Sequence, residues 1–416
     1  MINSIINQQK EERNALLKSN YICRLEDNIK EKYLGTSIIK LITGPRRAGK
    51  SVLALQLLEK HNFAYLNFDD ELLLKHFDED AVIKGLHVFY NNFEYLLLDE
   101  VQNLPNWELW VNKLYRRGYN LVITGSNSNL LSSEMASVLT GRFIQISVLP
   151  FSFAETLRYD STTPIESSKL PEAFNRYIFD GGFPEILQSP GVLKNYLSTL
   201  FDSILLKDIL KRFRIRQTQQ LYDLSNYFIS NYTNLFTFNQ ITEVLDFNSV
   251  ATVQKFVKYL EVSYLFQHIT RYQHKFKGRQ KSAQKMYVID NGFVKARSFE
   301  LSPNYGRLLE NVVFVELLRR GYTPELSLFY YRTRNDREID FVIRDGYVTK
   351  QLIQVCYELN QRKTIQRETD ALFEASEELN CSNLLLITGD KEDLIIKGKL
   401  EIKLVPAYKW LTSDFD

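Results

Sequence analysis

Residues 44–51 read Gly-Pro-Arg-Arg-Ala-Gly-Lys-Ser, and few octapeptides constrain a fold as tightly. The pattern G-x-x-x-x-G-K-S describes a loop whose backbone amides wrap around phosphate, so it needs a strand to launch it and a helix to receive it. Ser37–Thr43 is an apolar, β-branched run that reads as a buried strand, and Val52–Lys60 spaces its apolar residues as a helix does. The glycines let the backbone approach the phosphates, and the amides of the first helical turn attract negative charge. Lys50 is the residue to reach the β- and γ-phosphates, and Ser51 the one to hold Mg2+. The candidate nucleotide-binding set is therefore Gly44, Pro45, Arg46, Arg47, Ala48, Gly49, Lys50, Ser51 and Val52, with ATP and Mg2+ as the cofactors.

About fifty residues on, Tyr95-Leu-Leu-Leu-Asp99-Glu100 gives an apolar run that ends in two acids. Asp99 then lies at the carboxyl end of a buried strand, where it holds the Mg2+ shell, and Glu100 is set to polarise the attacking water. Asn120–Asn127 is a further apolar strand with a polar end. Asn127 and Ser126 are the candidates to sense the γ-phosphate or the water; simple turn chemistry is the competing account. Arg142, after a short helix, suits an arginine finger or a charge sensor, and equally a structural ion pair.

The rest of the composition sets limits. Fifty-two Lys and Arg against fifty Asp and Glu leave almost no net charge over 416 residues, so any case for nucleic acid has to be local. Cys23, Cys356 and Cys381 are far apart and form no metal pattern, which fits a reducing cytoplasm. There is no apolar run of membrane-spanning length and no signal-like start, so the expectation is a cytoplasmic protein without a membrane partner, as monomer or homo-oligomer.

Taken in order, GPRRAGKS, LLLDEVQ, TGSNS, LTGRF, the run Leu149–Glu155 and Gly181-Gly182-Phe183-Pro184-Glu185 resemble a family of AAA+-related P-loop ATPases of bacteria and archaea whose carboxyl-terminal domain has no characterised function. The resemblance spans nearly the whole chain. It implies ATP binding and hydrolysis, with Lys50, Ser51, Asp99 and Glu100 in the roles above.

Beyond the nucleotide region the pattern changes. A helix is expected over 72–90 and a loop over 156–170, and 170–216 is helical, with Gly181-Gly182 making a sharp turn. Residues 217–290 resemble a winged helix: helices over Leu221–Ser230, Phe238–Leu245 and Ser249–Val262, then strands Tyr264–Tyr272 and Lys285–Ile289. Between those strands, Lys275, Lys277 and Arg279 are candidates for contact with the phosphates of double-stranded DNA, unless the loop is merely solvated. Residues 306–357 resemble the PD-(D/E)xK nuclease superfamily, a helix with Glu310, a strand with Asp340 and a strand with Gln354 and Cys356. There the acids hold Mg2+ and a Lys activates water, but Cys356 stands in the place of that Lys. The site thus reads as degenerate, with cleavage lost unless Lys350, Arg362 or Lys363 supplies the cation.

The expected fold class is α/β: a P-loop NTPase parallel sheet of AAA+-like type, a helical connector, a winged helix and a restriction-endonuclease-like α/β domain. The expected boundaries are 1–35 for a helical arm, 36–165 for the ATPase domain, 166–216 for the connector, 217–290 for the winged helix and 291–416 for the nuclease-like domain. The function expected is an ATP-hydrolysing switch or motor acting through the carboxyl half on DNA. The competing readings are a nucleotide-dependent binding protein with a protein partner and an ATP-regulated nuclease.

Overall fold

Five short apolar runs assemble first: β1 (Ile39–Thr43), β2 (Phe63–Asn67), β3 (Tyr95–Asp99), β4 (Asn120–Gly125) and β5 (Phe143–Ser147). They form an all-parallel sheet in the order β2-β3-β4-β1-β5. The structure is a computed structural model that describes residues 1–19, 21–24, 27–126, 139, 141–160, 166–188, 191, 193–273, 282–298 and 302–413. The chain divides into two units, Met1–Leu149 and Pro150–Asp416.

In the first unit both faces of the sheet are covered, which is why β2, β3 and β4 are buried along nearly their whole length rather than alternately, whereas the edge strand β5 exposes Gln145 and Ser147. The two-residue period then sorts side chains between two cores. Leu41, Leu66, Leu98 and Ile123 pack with α1 (Ile2–Leu17), α5 (Glu79–Phe89) and α6 (Trp107–Arg116). Ile42, Tyr65, Leu97 and Val122 pack with α2 (Asp27–Leu34) and α3 (Lys50–Leu58) on the other face. The helix expected over 72–90 is two helices, α4 (Glu71–Lys75) and α5, because two N-caps compete for the segment. Asp70 accepts from Leu72 N at 2.8 Å, and Asp78 accepts from Ala81 N at 2.7 Å and restarts the helix. The helical arm is anchored by Gln9, whose amide bridges Asn67 and Asp70 at the edge strand β2.

The second unit begins helically: α7 (Phe153–Asp160), α8 (Leu170–Asp180), α9 (Pro184–Gln188) and α10 (Leu193–Ile204), which runs on as a π-helical turn over Leu205–Lys211. The loop expected over 156–170 is thus helical in its first part, since Ser152 and Glu155 cap α7 reciprocally, Ser152 N to Glu155 Oε2 at 2.7 Å and Glu155 N to Ser152 Oγ at 3.1 Å. The Gly181-Gly182 turn has a physical cause. Gly181 holds φ at +77°, and a Cβ on Gly182 would stand 2.0 Å from the Phe151 carbonyl oxygen. There Asp290 accepts from Gly182 N and from Gly292 N, and burial pushes its carboxyl up to about 6.

Two sheets follow. Helix α11 (Thr218–Ser230), β6 (Leu235–Phe236), α12 (Phe238–Val244), α13 (Val250–Val262), β7 (Phe266–Thr270) and β8 (Gln284–Val288) form a three-helix layer on a three-stranded antiparallel sheet, order β6-β8-β7. After α14 (Asn291–Arg297) and α15 (Tyr305–Arg319) come β9 (Leu328–Arg332), β10 (Glu338–Asp345), β11 (Val348–Cys356), α16 (Arg362–Leu379), β12 (Leu384–Thr388), β13 (Asp393–Lys397), β14 (Leu400–Pro406) and α17 (Ala407–Trp410). This sheet has six strands in the order β13-β14-β12-β11-β10-β9, antiparallel over β9-β10-β11 and parallel over β11-β12-β14. The sequence reading missed β13, whose side chains are mostly exposed, and α14, a seven-residue helix.

Candidate functional site

All five strands of the first sheet point the same way, so β1, β3 and β4 deliver their carboxyl ends to one edge, where α/β sheets place ligands. The 44–51 loop leaves β1 at that edge. Val148 N donates to Thr43 O at 2.7 Å and draws the exit of β5 against the loop, so a Cβ at Gly44 (φ +148°) would stand 1.9 Å from Val148 O. Only glycine fits. Arg47 and Gly49 also take positive φ, +67° and +90°, before α3 starts at Lys50. The loop is braced from the amino-terminal arm, where Arg24 donates to Ala48 O and to Leu149 O, both at 2.9 Å.

Lys50 is buried and donates to Pro45 O at 3.0 Å, with Glu100 Oε1 3.7 Å away. Ser51 Oγ donates to Asp99 Oδ1 at 2.8 Å, Tyr65 OH donates to Asp99 Oδ2 at 3.3 Å, and Thr124 Oγ1 also donates to Asp99 Oδ1. Burial raises the Asp99 carboxyl, Glu100 adds to this, and the Thr124 and Ser51 hydrogen bonds oppose it. Glu100 follows in the left-handed region at φ +50°, uncommon for a residue with a Cβ, and its N–H is held by Thr124 Oγ1 at 3.0 Å. Burial by itself would raise the Glu100 carboxyl, but Lys50, the Gln102 amide and Arg46 outweigh it and hold it below the ordinary carboxylate value. Gln102 donates to Glu100 Oε2 and, at 3.4 Å, to Ser126 Oγ. Side by side, then, stand a glycine cradle, a lysine, a hydroxyl and carboxylate pair of hard oxygen donors suited to Mg2+, and an ionised glutamate. This set fits a nucleoside triphosphate and Mg2+.

Arg142 is elsewhere. It precedes Phe143, which pairs with Ile39 at the start of β1, while the loop leaves the other end. Four residue steps of about 3.3 Å put roughly 13 Å of strand between the two positions, so Arg142 is out of reach of phosphate held by its own loop. Its guanidinium donates to Asn112 Oδ1 at 2.5 Å and faces the Tyr115 ring. Asn127 lies outside the described residues; the other candidate, Ser126, does lie against Glu100 and helps hold its carboxyl low, and Thr124 of β4 reaches both Asp99 and Glu100.

The second unit holds another cluster. Glu310 on α15 and Asp340 on β10 come together, and the cation between them is Lys285 from β8, not Lys350, Arg362 or Lys363. Lys350 instead faces Asp345 on the surface at 3.5 Å. Lys285 Nζ also lies 2.7 Å from Glu338 Oε1. Burial opposes the charge on Lys285, but Glu310 and the other acids outweigh it and hold the amine well above its ordinary value. Burial raises Asp340, against Lys285. Gln354 lies beside the cluster but is bonded to other groups: its Oε1 accepts from Asp340 N at 3.3 Å and its Nε2 donates to Glu368 Oε2 at 2.7 Å. Cys356 Sγ donates to Glu358 O at 3.4 Å, and burial pushes the thiol up to about 11. Neither is therefore a partner of the two acids in the way the sequence pattern suggests. Lys275, Lys277 and Arg279 lie outside the described residues.

With that geometry in place, likeness to known proteins becomes informative. Residues 36–157 match the family described as an AAA domain, so the chain carries an AAA-type P-loop NTPase domain there. Residues 171–302 and 305–410 each match a domain of unknown function. An uncharacterised protein of Methanocaldococcus jannaschii is 35% identical over 394 residues, 89% of this chain and 88% of that one. An uncharacterised protein of Haemophilus influenzae is 32% identical over 386 residues, 88% of this chain and 91% of that one. The chain belongs to the same family as these two proteins. Among solved structures it is similar to the replication initiator DnaA bound to AMPPCP and single-stranded DNA, at 13% identity and TM-score 0.26, covering 63% of this chain and 91% of that one. It is also similar to Cdc6p from Pyrobaculum aerophilum, at 13% identity and TM-score 0.27, covering 65% and 93%. No helix among the described residues is long and apolar enough to cross a membrane.

Proposed function

We propose that this protein binds ATP with Mg2+ and hydrolyses it, and that the cycle acts on a winged-helix and nuclease-like carboxyl half whose partner is double-stranded DNA. The convergence of Lys50, Ser51, Asp99, Glu100 and Thr124 at one sheet edge carries the hydrolytic reading. Lys50 binds phosphate oxygens once it leaves Pro45 O, and Ser51 with Asp99 holds the metal. Mg2+, when bound, supplies positive charge that offsets the charge of the phosphates. Glu100, ionised and held in place by Thr124 and Gln102, orients the attacking water. Arg142, out of reach in its own chain, serves the site of a neighbouring copy in this reading.

The order α11-β6-α12-α13-β7-β8 with sheet order β6-β8-β7 supports the winged-helix reading, and α13 exposes Gln254, Lys255 and Lys258. Ser249 Oγ, by contrast, is used to cap the helix on Thr252 N at 3.2 Å and lies 2.9 Å from Thr252 Oγ1. Helix α15 followed by β9-β10-β11, α16 and β12 supports the nuclease-like reading of the second sheet. Phosphate release by wild type and by Lys50→Ala tests the hydrolytic core of the proposal: loss in the variant is expected, and equal release from both proteins refutes it.

A further inference from the structure

The carboxylate cluster of the second unit has the oxygen donors of a divalent-cation site, yet a side-chain ammonium stands at their focus. Lys285 Nζ lies 2.7 Å from Glu338 Oε1, 2.9 Å from Glu310 Oε1 and 3.1 Å from Asp340 Oδ1. Convergence of several carboxylate oxygens from different elements on one point is the arrangement that surrounds a hard cation. We propose that the Lys285 ammonium is the resident cation of this centre: it takes the place a divalent ion takes in a hydrolytic site, keeps the centre closed to metal, and fastens the three-stranded sheet to the six-stranded one.

The inference goes beyond ATP hydrolysis and does not depend on it. Of its three donors, two hydrogen-bond Glu310 Oε1 and Asp340 Oδ1, and Glu338 lies against the ammonium as a third ion pair. Each acid has a further donor beside it. Tyr287 OH donates to Glu310 Oε1 at 2.8 Å, Val355 N donates to Asp340 Oδ2 at 2.9 Å, and Arg332 Nε lies 3.4 Å from Glu338 Oε2. The Lys285 side chain is only 3% exposed, so an unpaired charge there would be severely unfavourable; the three acids compensate it, and it compensates them. The joint is continued by bonds to main-chain carbonyls, one from a main-chain N–H and two from side chains. Tyr272 N donates to Tyr330 O at 2.7 Å, Arg271 Nη2 to Arg332 O at 2.8 Å, and Tyr330 OH to Ala283 O at 2.5 Å. Lys285 is thus the ionic part of a seam already stitched by bonds to main-chain carbonyls, and the acids of the nuclease-like domain are used as structure.

The test is a Mn2+ titration of the nucleotide-free full chain, read by calorimetry, on wild type, Lys285→Met and Lys285→Met combined with Asp340→Asn. Wild type is expected to show only the weak binding of a protein surface. K285M is expected to gain one site at least about tenfold tighter than that background, and the double variant to lose it. Lys285→Gln, of similar length and able to hydrogen-bond, takes the place of K285M if the apolar side chain prevents folding. A folded, cooperatively melting K285M or K285Q that gains no site overturns the proposal. So does a wild-type Mn2+ site that Asp340→Asn removes, and so does Mn2+-dependent nicking of plasmid by wild type that the same substitution abolishes, since Lys285 would then be a group of a working nuclease.

Discussion

In the proposed hydrolytic cycle, Thr124→Val isolates the link on which the geometry rests. Thr124 is fully buried, and valine has nearly its shape, so the change removes chemistry without opening a cavity. Two bonds disappear. The Thr124 hydroxyl no longer donates to the Asp99 carboxylate, a charge-assisted bond worth about 1.5–3 kcal/mol. The Glu100 N–H, now facing a methyl group, is left without its acceptor, at about 1–3 kcal/mol. That N–H is also what holds Glu100 at φ +50°, a conformation that costs about 1–3 kcal/mol and persists only when its surroundings impose it. Released, the backbone relaxes toward negative φ and the carboxylate swings away from the water it orients. If about 3 kcal/mol of this is lost from the transition state, turnover falls roughly 100-fold. Lys50 and Ser51 are untouched, so nucleotide affinity is expected to stay within about threefold of wild type. The assay is steady-state phosphate release with a parallel nucleotide-binding titration and a thermal melt. A folded variant with wild-type kcat would refute the anchoring role, and a matching loss of nucleotide affinity would refute its restriction to the chemical step.

Two further outcomes are expected. His268 donates its ring to Glu261 Oε1 at 2.5 Å with Glu325 Oε1 3.6 Å from the other nitrogen, and although burial opposes the charge, Glu261 first and then Glu325 push the imidazolium up to about 10 from 6.5. The stability this gives is complete below pH 6.5 and is lost as pH rises through 10, worth at most about 5 kcal/mol, so His268→Gln should unfold at a lower temperature at pH 6 and approach wild type at pH 10; a difference independent of pH would sink the assignment. For Arg142, mixing Arg142→Ala with Lys50→Ala should restore phosphate release above the sum of the two alone, because the intact arginine of one chain serves the intact loop of the other; no recovery in a mixed assembly rules out the role across chains.

The nucleotide edge was legible in the sequence because its chemistry is local. A loop of eight residues and an apolar run closed by two acids each carry their own context, and the parallel sheet then brings them together without further information. Thr124 and Tyr65 were less visible, since a Thr and a Tyr inside apolar strands read as core until the neighbouring strand is in register. Lys285 is the instructive miss. The pattern sought a cation close to Gln354 in sequence, whereas the fold supplies it about seventy residues earlier, from another sheet. A lysine flanked by Gln284, Met286 and Tyr287 in a fully buried strand was the available signal, because a charge there demands partners of opposite sign.

The two lysines also show how distance separates a site that receives a ligand from one that is already satisfied. Lys50 has one neutral partner at 3.0 Å and one carboxylate at 3.7 Å, too long for a direct hydrogen bond. A phosphate oxygen offers it more than it gives up, and the release leaves Glu100 still held by Gln102 and Thr124. Lys285 has three carboxylates at 2.7–3.1 Å, each within hydrogen-bond range, so a ligand would have to break all three and leave the acids facing one another. One pairing is loose enough to exchange for substrate, and the other is closed on itself. By this measure the chemistry of the chain is concentrated at the carboxyl edge of the first sheet, and the acids of the second unit serve to hold its two sheets together.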